Sequence, residues 1–130
     1  MPARVKAGAT SAVPVTFRLA SGFHTNSNQP SDEYLIPLKL TWDAPSVAPL
    51  EVAGIDYPAG KLEKYEFSEK PLSVYSGEFV VTTRFRVPAT VPKGARTLTG
   101  KLRYQACTHT TCYPPKNLAV SVNIAVAPAQ

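Results

Sequence analysis

The sequence predicts an all-β domain of two packed sheets, and three observations carry that prediction. Apolar and polar residues alternate in segment after segment, the period of a strand with one face buried. Pro, Gly and Asn separate those segments, as turns do in a sandwich. There are 13 prolines in 130 residues. Each removes a backbone donor and disfavours the helical turn before it, which argues against long helices.

Taken in order, "VPVTFRL" sets Val13, Val15, Phe17 and Leu19 on one face. "YLIPLKLTW" does the same with Ile36, Leu38, Leu40 and Trp42, and Pro37 within it marks an edge or bulged strand. Two shorter strands are expected at 51–53 and 72–75. "EFVVTTRFRV" turns Phe79, Val81, Phe85 and Val87 inward and Glu78, Arg84 and Arg86 outward. "TLTGKLRYQA" turns Leu98, Leu102, Tyr104 and Ala106 inward, and "LAVSVNIAV" does so with Leu118, Val120, Val122, Ile124 and Val126. The segment 58–71, "PAGKLEKYEFSEKP", shows no period and reads as a long loop, a common place for function in a compact domain. One domain, 1–130, is expected, with 1–11 and 127–130 as flexible ends and the native chain continuing past the linker-like "VAPAQ".

Hydrophobic residues make up 44% of the chain and charged residues 18%, the balance of a globular protein. No apolar run approaches the length that spans a bilayer. The net charge is +5, but the lysines and arginines are scattered singly, without a basic helix, an RNA-binding signature or zinc-finger spacing. Nucleic acid is therefore not an expected partner, and the charge reads as a mildly basic surface.

Both cysteines fall in "YQACTHTTCYPPK", 104–116. Cys107 follows an inward-facing strand, and Pro114 and Pro115 delay the next strand to about Leu118, so both cysteines belong to one turn at an end of the sandwich. Five positions apart on a turn, they come within bridging range. A staple closing so short a loop, about six residues, adds only about 2 kcal/mol, which weighs towards redox use over stability. A metal reading takes Cys107, His109 and Cys112 as ligands with His24 as a fourth, but it lacks the second ligand cluster usual for zinc. His109 is either a polar turn residue or a positive charge that lowers a thiol pKa.

The stretch "YQACTHTTCYPP" resembles the active-site segment of the N-terminal periplasmic domain of the thiol:disulfide interchange protein DsbD. "GFHTNSNQPSDEYLIPLKLTW", 22–42, is similar to that family's Gly-aromatic-His segment leading into its second strand, and "EKYEFSEKPLSVYSGEF" resembles the part carrying its cap loop. The resemblance implies an immunoglobulin-like two-sheet antiparallel sandwich and a periplasmic location, with the full-length protein anchored in the inner membrane. It implies protein-disulfide reductase chemistry with no cofactor and no metal. Electrons would arrive from a thioredoxin-like donor domain of the same full-length protein. They would leave to periplasmic disulfide isomerases and cytochrome c maturation thiol proteins.

By the same resemblance Cys112 is the sulfur attacked and Cys107 its partner. In "YEFSE", Phe67 is expected as a cap over the disulfide, with Tyr65 second, because a shield limits reaction with stray oxidants and thiols. Glu66 and Glu69 are expected to tune the thiols, since nearby negative charge disfavours thiolate. Tyr34, Tyr104, His109 and Tyr113 are expected at the rim, and His24 reads as a structural turn histidine. The competing reading is a non-enzymatic immunoglobulin-like binding module with a structural disulfide.

Overall fold

The computed structural model describes residues 3–31, 35–67 and 69–129. In chain order its elements are β1 (Ala3–Lys6), β2 (Thr10–Arg18), β3 (His24–Asn26), β4 (Lys39–Trp42) and a one-turn helix α1 (Ala44–Val47). Then come β5 (Glu51–Asp56), β6 (Lys61–Glu63), β7 (Leu72–Ser76), β8 (Glu78–Arg86), β9 (Gly94–Tyr104), β10 (Ala106–Cys107) and β11 (Lys116–Ala127). One large sheet runs β1-β11-β9-β4 and a second runs β2-β8-β5. The small sheet β10-β3-β7-β6 lies between them in chain connectivity and carries both the cysteine strand and part of the loop region. Among the described strands all pairings are antiparallel except β1 with β11.

The core is built as the alternation requires. Val13, Val81, Phe85, Leu98 and Ile124 are wholly buried, and they come from both large sheets. Burying such side chains is the main favourable term in folding. Trp42 on β4 ties the two layers together. Its indole N–H donates to Thr83 Oγ1 on β8 at 2.9 Å, and its ring meets Phe85 edge-on at 5.4 Å. Gly100 faces Trp42 across β9 and β4, where an added Cβ would lie 2.5 Å from the Thr41 carbonyl oxygen and 3.1 Å from the indole ring, so the neighbouring backbone leaves no room for a side chain. Gly77 joins β7 to β8 at φ +64°, a left-handed turn position that favours glycine. Pro14 lies within β2, but β2 is an edge strand, where a missing N–H is tolerated. Pro37 precedes β4, which is likewise an edge.

Several expectations change. The segment 58–71 is not wholly loop, because β6 forms within it and pairs with β7; three residues are too few for a period to show. The segment 1–11, read from sequence as a flexible end, holds β1, whose Val5 is 2% exposed, and the start of β2. Leu118, expected inward, is 46% exposed. β1 covers β11 only from Ile124 to Ala127, so Leu118 stands on an uncovered margin of the sheet. The strand expected to continue inward through Ala106 ends at Tyr104. After Gln105 the chain changes sheets, and Ala106 pairs with Thr25 in the small sheet. That change of sheet is what carries Cys107 out of the sandwich and into the site.

Candidate functional site

Cys107 ends β10 and Cys112 stands opposite it across the loop 108–111. Thr108 N–H donates to Thr111 O at 2.7 Å, and Tyr113 N–H donates to Ala106 O at 2.9 Å. These bonds bracket the cysteines and make them a non-hydrogen-bonded antiparallel pair, the kind in which facing residues approach closest. Their Cα atoms are 4.0 Å apart and their sulfurs are joined in a disulfide. The Thr108 hydroxyl closes the tip by accepting the Thr111 N–H at 3.1 Å and the Thr110 N–H at 3.4 Å.

The hairpin is anchored by side-chain amides. Asn26 Nδ2 donates to Ile36 O at 3.0 Å and to Gln105 Oε1 at 3.3 Å, and Gln105 Nε2 donates to Tyr113 O at 3.3 Å. Gln105 therefore holds the strand after Cys112 to the strand before Cys107. On β7, the strand paired with β3, the Tyr75 hydroxyl donates to Pro58 O at 2.7 Å and lies 2.9 Å from Asn28 Oδ1, fixing the approach to β6.

In register, His24 of β3 faces Cys107, and Cys107 faces Cys112. Directly opposed residues project from one face of a sheet. His24, Cys107 and Cys112 thus form a row. Two members of the row are buried and one is not: His24 is 4% exposed and Cys107 1%, while Cys112 is exposed. A reagent from solvent meets the Cys112 end.

The segment after β6 covers the buried end. Tyr65 stacks on His24 with centroids 4.0 Å apart and planes 9° from parallel, and it meets His109 edge-on at 5.5 Å. Phe67 lies parallel to both rings, 5.5 Å from Tyr65 and 6.4 Å from His24, and remains 40% exposed. Glu66 and Glu69 are exposed on the same segment, and Tyr34 lies outside the described residues. Burial holds the His24 imidazole below its ordinary 6.5, with His109 acting the same way and Glu63 opposing. Burial, helped by Glu63, raises the Tyr65 phenol, which stays neutral.

The other rim residues sit on the opposite side. Alternation turns Ala106 and Tyr113 away from the disulfide. With Phe23, Tyr104, Pro114 and Lys116 they line an apolar hollow of about 250 Å³, where Phe23 and Tyr113 lie 6.1 Å apart. So the expected rim divides: His109 joins Tyr65 above the cysteines, while Tyr104 and Tyr113 belong to the reverse face. Among the described residues no group of three or more His, Cys, Asp and Glu side chains converges as metal ligands. Sequence reasoning missed Asn26 and Gln105 beside the cysteines, and it weighed His24 only as a fourth metal ligand before reading it as structural. Only the run of polar residues "HTNS" hinted at an unusual interior.

The sequence family described as "Thiol:disulfide interchange protein DsbD, N-terminal" matches residues 1–124. The chain belongs to the DsbD N-terminal domain family. The crystal structure of the Neisseria meningitidis DsbD N-terminal domain in the reduced form has a similar fold, with a TM-score of 0.57 and 22% identity. That match covers 89% of this chain and 79% of the other. No curated protein matches the chain. The DsbD N-terminal fold is immunoglobulin-like, and this all-β chain shares it. As a DsbD N-terminal domain it is a thiol–disulfide exchange domain, and a Cys107–Cys112 disulfide is present in it. The family's N-terminal domain is periplasmic, and no described helix is long and apolar enough to cross a membrane.

Proposed function

We propose that this domain takes electrons from a thioredoxin-like donor through the Cys107–Cys112 disulfide and passes them to periplasmic disulfide proteins. The observation that carries the direction of attack is the unequal exposure of the two cysteines: Cys107 is 1% exposed, whereas Cys112 lies open. A donor thiolate attacks Cys112 Sγ, the Cys107–Cys112 bond breaks, and its electron pair leaves on Cys107. The donor's second thiolate then attacks the donor sulfur of the mixed disulfide and releases Cys112. Two electrons and two protons have then moved from the donor dithiol to this pair. In the reverse sense the reduced pair serves disulfide isomerases and cytochrome c maturation thiol proteins in the periplasm. The donor is a domain of the same full-length protein, which is anchored in the inner membrane.

Phe67 and Tyr65 form the cap in this reading, with Glu66 and Glu69 at its edge. The stacking on His24 supports that role, since it keeps the segment against the row that ends in the disulfide. The cap must move for a partner to dock fully, and an exposed, charged segment moves at little cost.

Trapping tests the assignment. A thioredoxin-like donor lacking its resolving thiol is activated as a mixed disulfide with thionitrobenzoate. The reduced Cys107→Ser variant should displace thionitrobenzoate through Cys112 and stay linked to the donor. Capture only by Cys112→Ser would reverse the roles of the two sulfurs. A glutathione titration addresses the rival, structural reading. Exchange requires a potential that a thioredoxin-like donor at about −270 mV can reach, whereas structural bridges lie below about −300 mV.

A further inference from the structure

His24 Nε2 is buried with no hydrogen-bond partner, although it belongs to a side chain that is only 4% exposed. Buried polar atoms are almost always paired, so an orphan calls for a reason. Here the orphan stands on the same sheet face as Cys107, directly across from it. In the oxidised form the Cys107 sulfur is committed to Cys112 and offers little as an acceptor. Opening the disulfide creates a charged sulfur on the residue that faces His24 in the register.

We propose that His24 is a positioning residue for disulfide exchange: its Nε2 becomes the hydrogen-bond partner of the Cys107 sulfur when the disulfide opens. The inference rests on the exchange reading above and adds a residue to it. When a donor thiolate bonds to Cys112 Sγ, the Cys107–Cys112 bond breaks and its electron pair becomes the lone pair of a Cys107 thiolate. No proton moves in that step. A neutral imidazole with its proton on Nε2 donates to that thiolate, and charge-assisted bonds of this kind are the strong ones. The same bond holds the thiolate in place for the return reaction, when Cys107 attacks the mixed disulfide and expels the outgoing thiolate.

Burial, helped by His109, keeps the imidazole neutral against the opposing pull of Glu63, and its neighbours hold it aligned. Cys107 faces it from β10, Ser76 from β7, Glu63 acts from β6, Tyr65 stacks on it from the following segment, and His109 approaches from the hairpin tip. Tyr65 excludes water from the ring face, so the released sulfur and Nε2 meet in a poorly solvated space, where a hydrogen bond is strongest.

The rate of reduction of the purified chain by dithiothreitol tests the proposal. His24→Phe retains a ring for Tyr65 to stack on but removes both nitrogens. It should slow reduction by about tenfold or more, the loss expected for one hydrogen bond to a charged group. A tenfold loss at equilibrium would lower the potential against glutathione by about 30 mV. His24→Gln keeps a donor and should recover most of the lost rate. Wild-type NMR gives a second readout that needs no variant: the His24 imidazole should titrate at higher pH in the reduced form, beside a thiolate, than in the oxidised form. An unchanged reduction rate in His24→Phe, or an unchanged His24 titration between redox forms, overturns the proposal. Faster reduction in His24→Phe does so too, and makes His24 only a support for the cap. Resistance of the wild-type disulfide to dithiothreitol is a different result, which overturns the exchange reading and this inference with it.

Discussion

Among the described residues of the two large sheets, Thr83 is the one buried polar side chain, and it is paired with the Trp42 indole. The small sheet does the opposite. It buries His24, Thr25 and Asn26 in succession along β3, followed by Ser27, and leaves His24 Nε2 and Thr25 Oγ1 unpaired. An interior of that kind is costly, because each buried polar atom without a partner forfeits its hydration. The sandwich therefore supplies the stability. The small sheet draws on it to hold a polar row that ends in the disulfide next to the surface. Sites of exchange are expected where a fold violates its own packing rules, and here the violation is confined to the sheet that holds the disulfide.

That division can be broken most severely in the sandwich. Phe85 is wholly buried between the layers, and Phe85→Ala should cost about 3–5 kcal/mol through the cavity it leaves. Denaturant titration measures this. The folded variant should still be reduced by dithiothreitol at the wild-type rate, since the disulfide lies in the other region. A changed rate would mean that the two regions are mechanically coupled.

Next in size is Thr83→Val, which keeps the shape but strands the Trp42 N–H. About 1–3 kcal/mol should be lost, the cost of leaving a buried donor unsatisfied. A near-neutral result would show that the indole finds another partner.

On the segment proposed as the cap the balance reverses. Phe67→Ala should change stability by less than about 1 kcal/mol, because the ring is already 40% exposed. It should speed reduction by dithiothreitol, because it opens a path to sulfur. Tyr65→Ala opens the same path but removes the ring stacked on His24, so it should speed reduction less than Phe67→Ala does. Large destabilisation with an unchanged rate would make these residues anchors of the fold and not a shield.

The smallest expected effect is the pH dependence that His24 imposes on stability. Its folded pKa lies below 6.5, chiefly through burial, so the unfolded chain binds a proton first as the pH falls. The associated stability is complete above about pH 6.5 and declines as the pH drops through the depressed folded value. Thermal melts of wild type and His24→Phe at neutral and mildly acidic pH should diverge in that window. Parallel curves would show that His24 titrates normally in the folded state.

The sequence by itself determined the sandwich and the location of the cysteine pair. Period-two alternation in β2, β8 and β11 is local information, written in each strand's own residues, and so is the proximity of two cysteines five positions apart on a proline-bounded turn. The tertiary structure decided what surrounds that pair. Nothing near Gln105 shows that the chain changes sheets there, because pairing with β3 instead of β4 and β11 depends on residues some eighty positions away. His24 reads as a turn histidine until β10 pairs with it and Tyr65 stacks upon it. Leu118 reads as core until the margin of its sheet is seen to be uncovered. Alternation records which way a side chain points relative to its own strand. Whether that direction leads to solvent, to a core or to a sulfur atom depends on partners that are distant in sequence, and only folding brings them together.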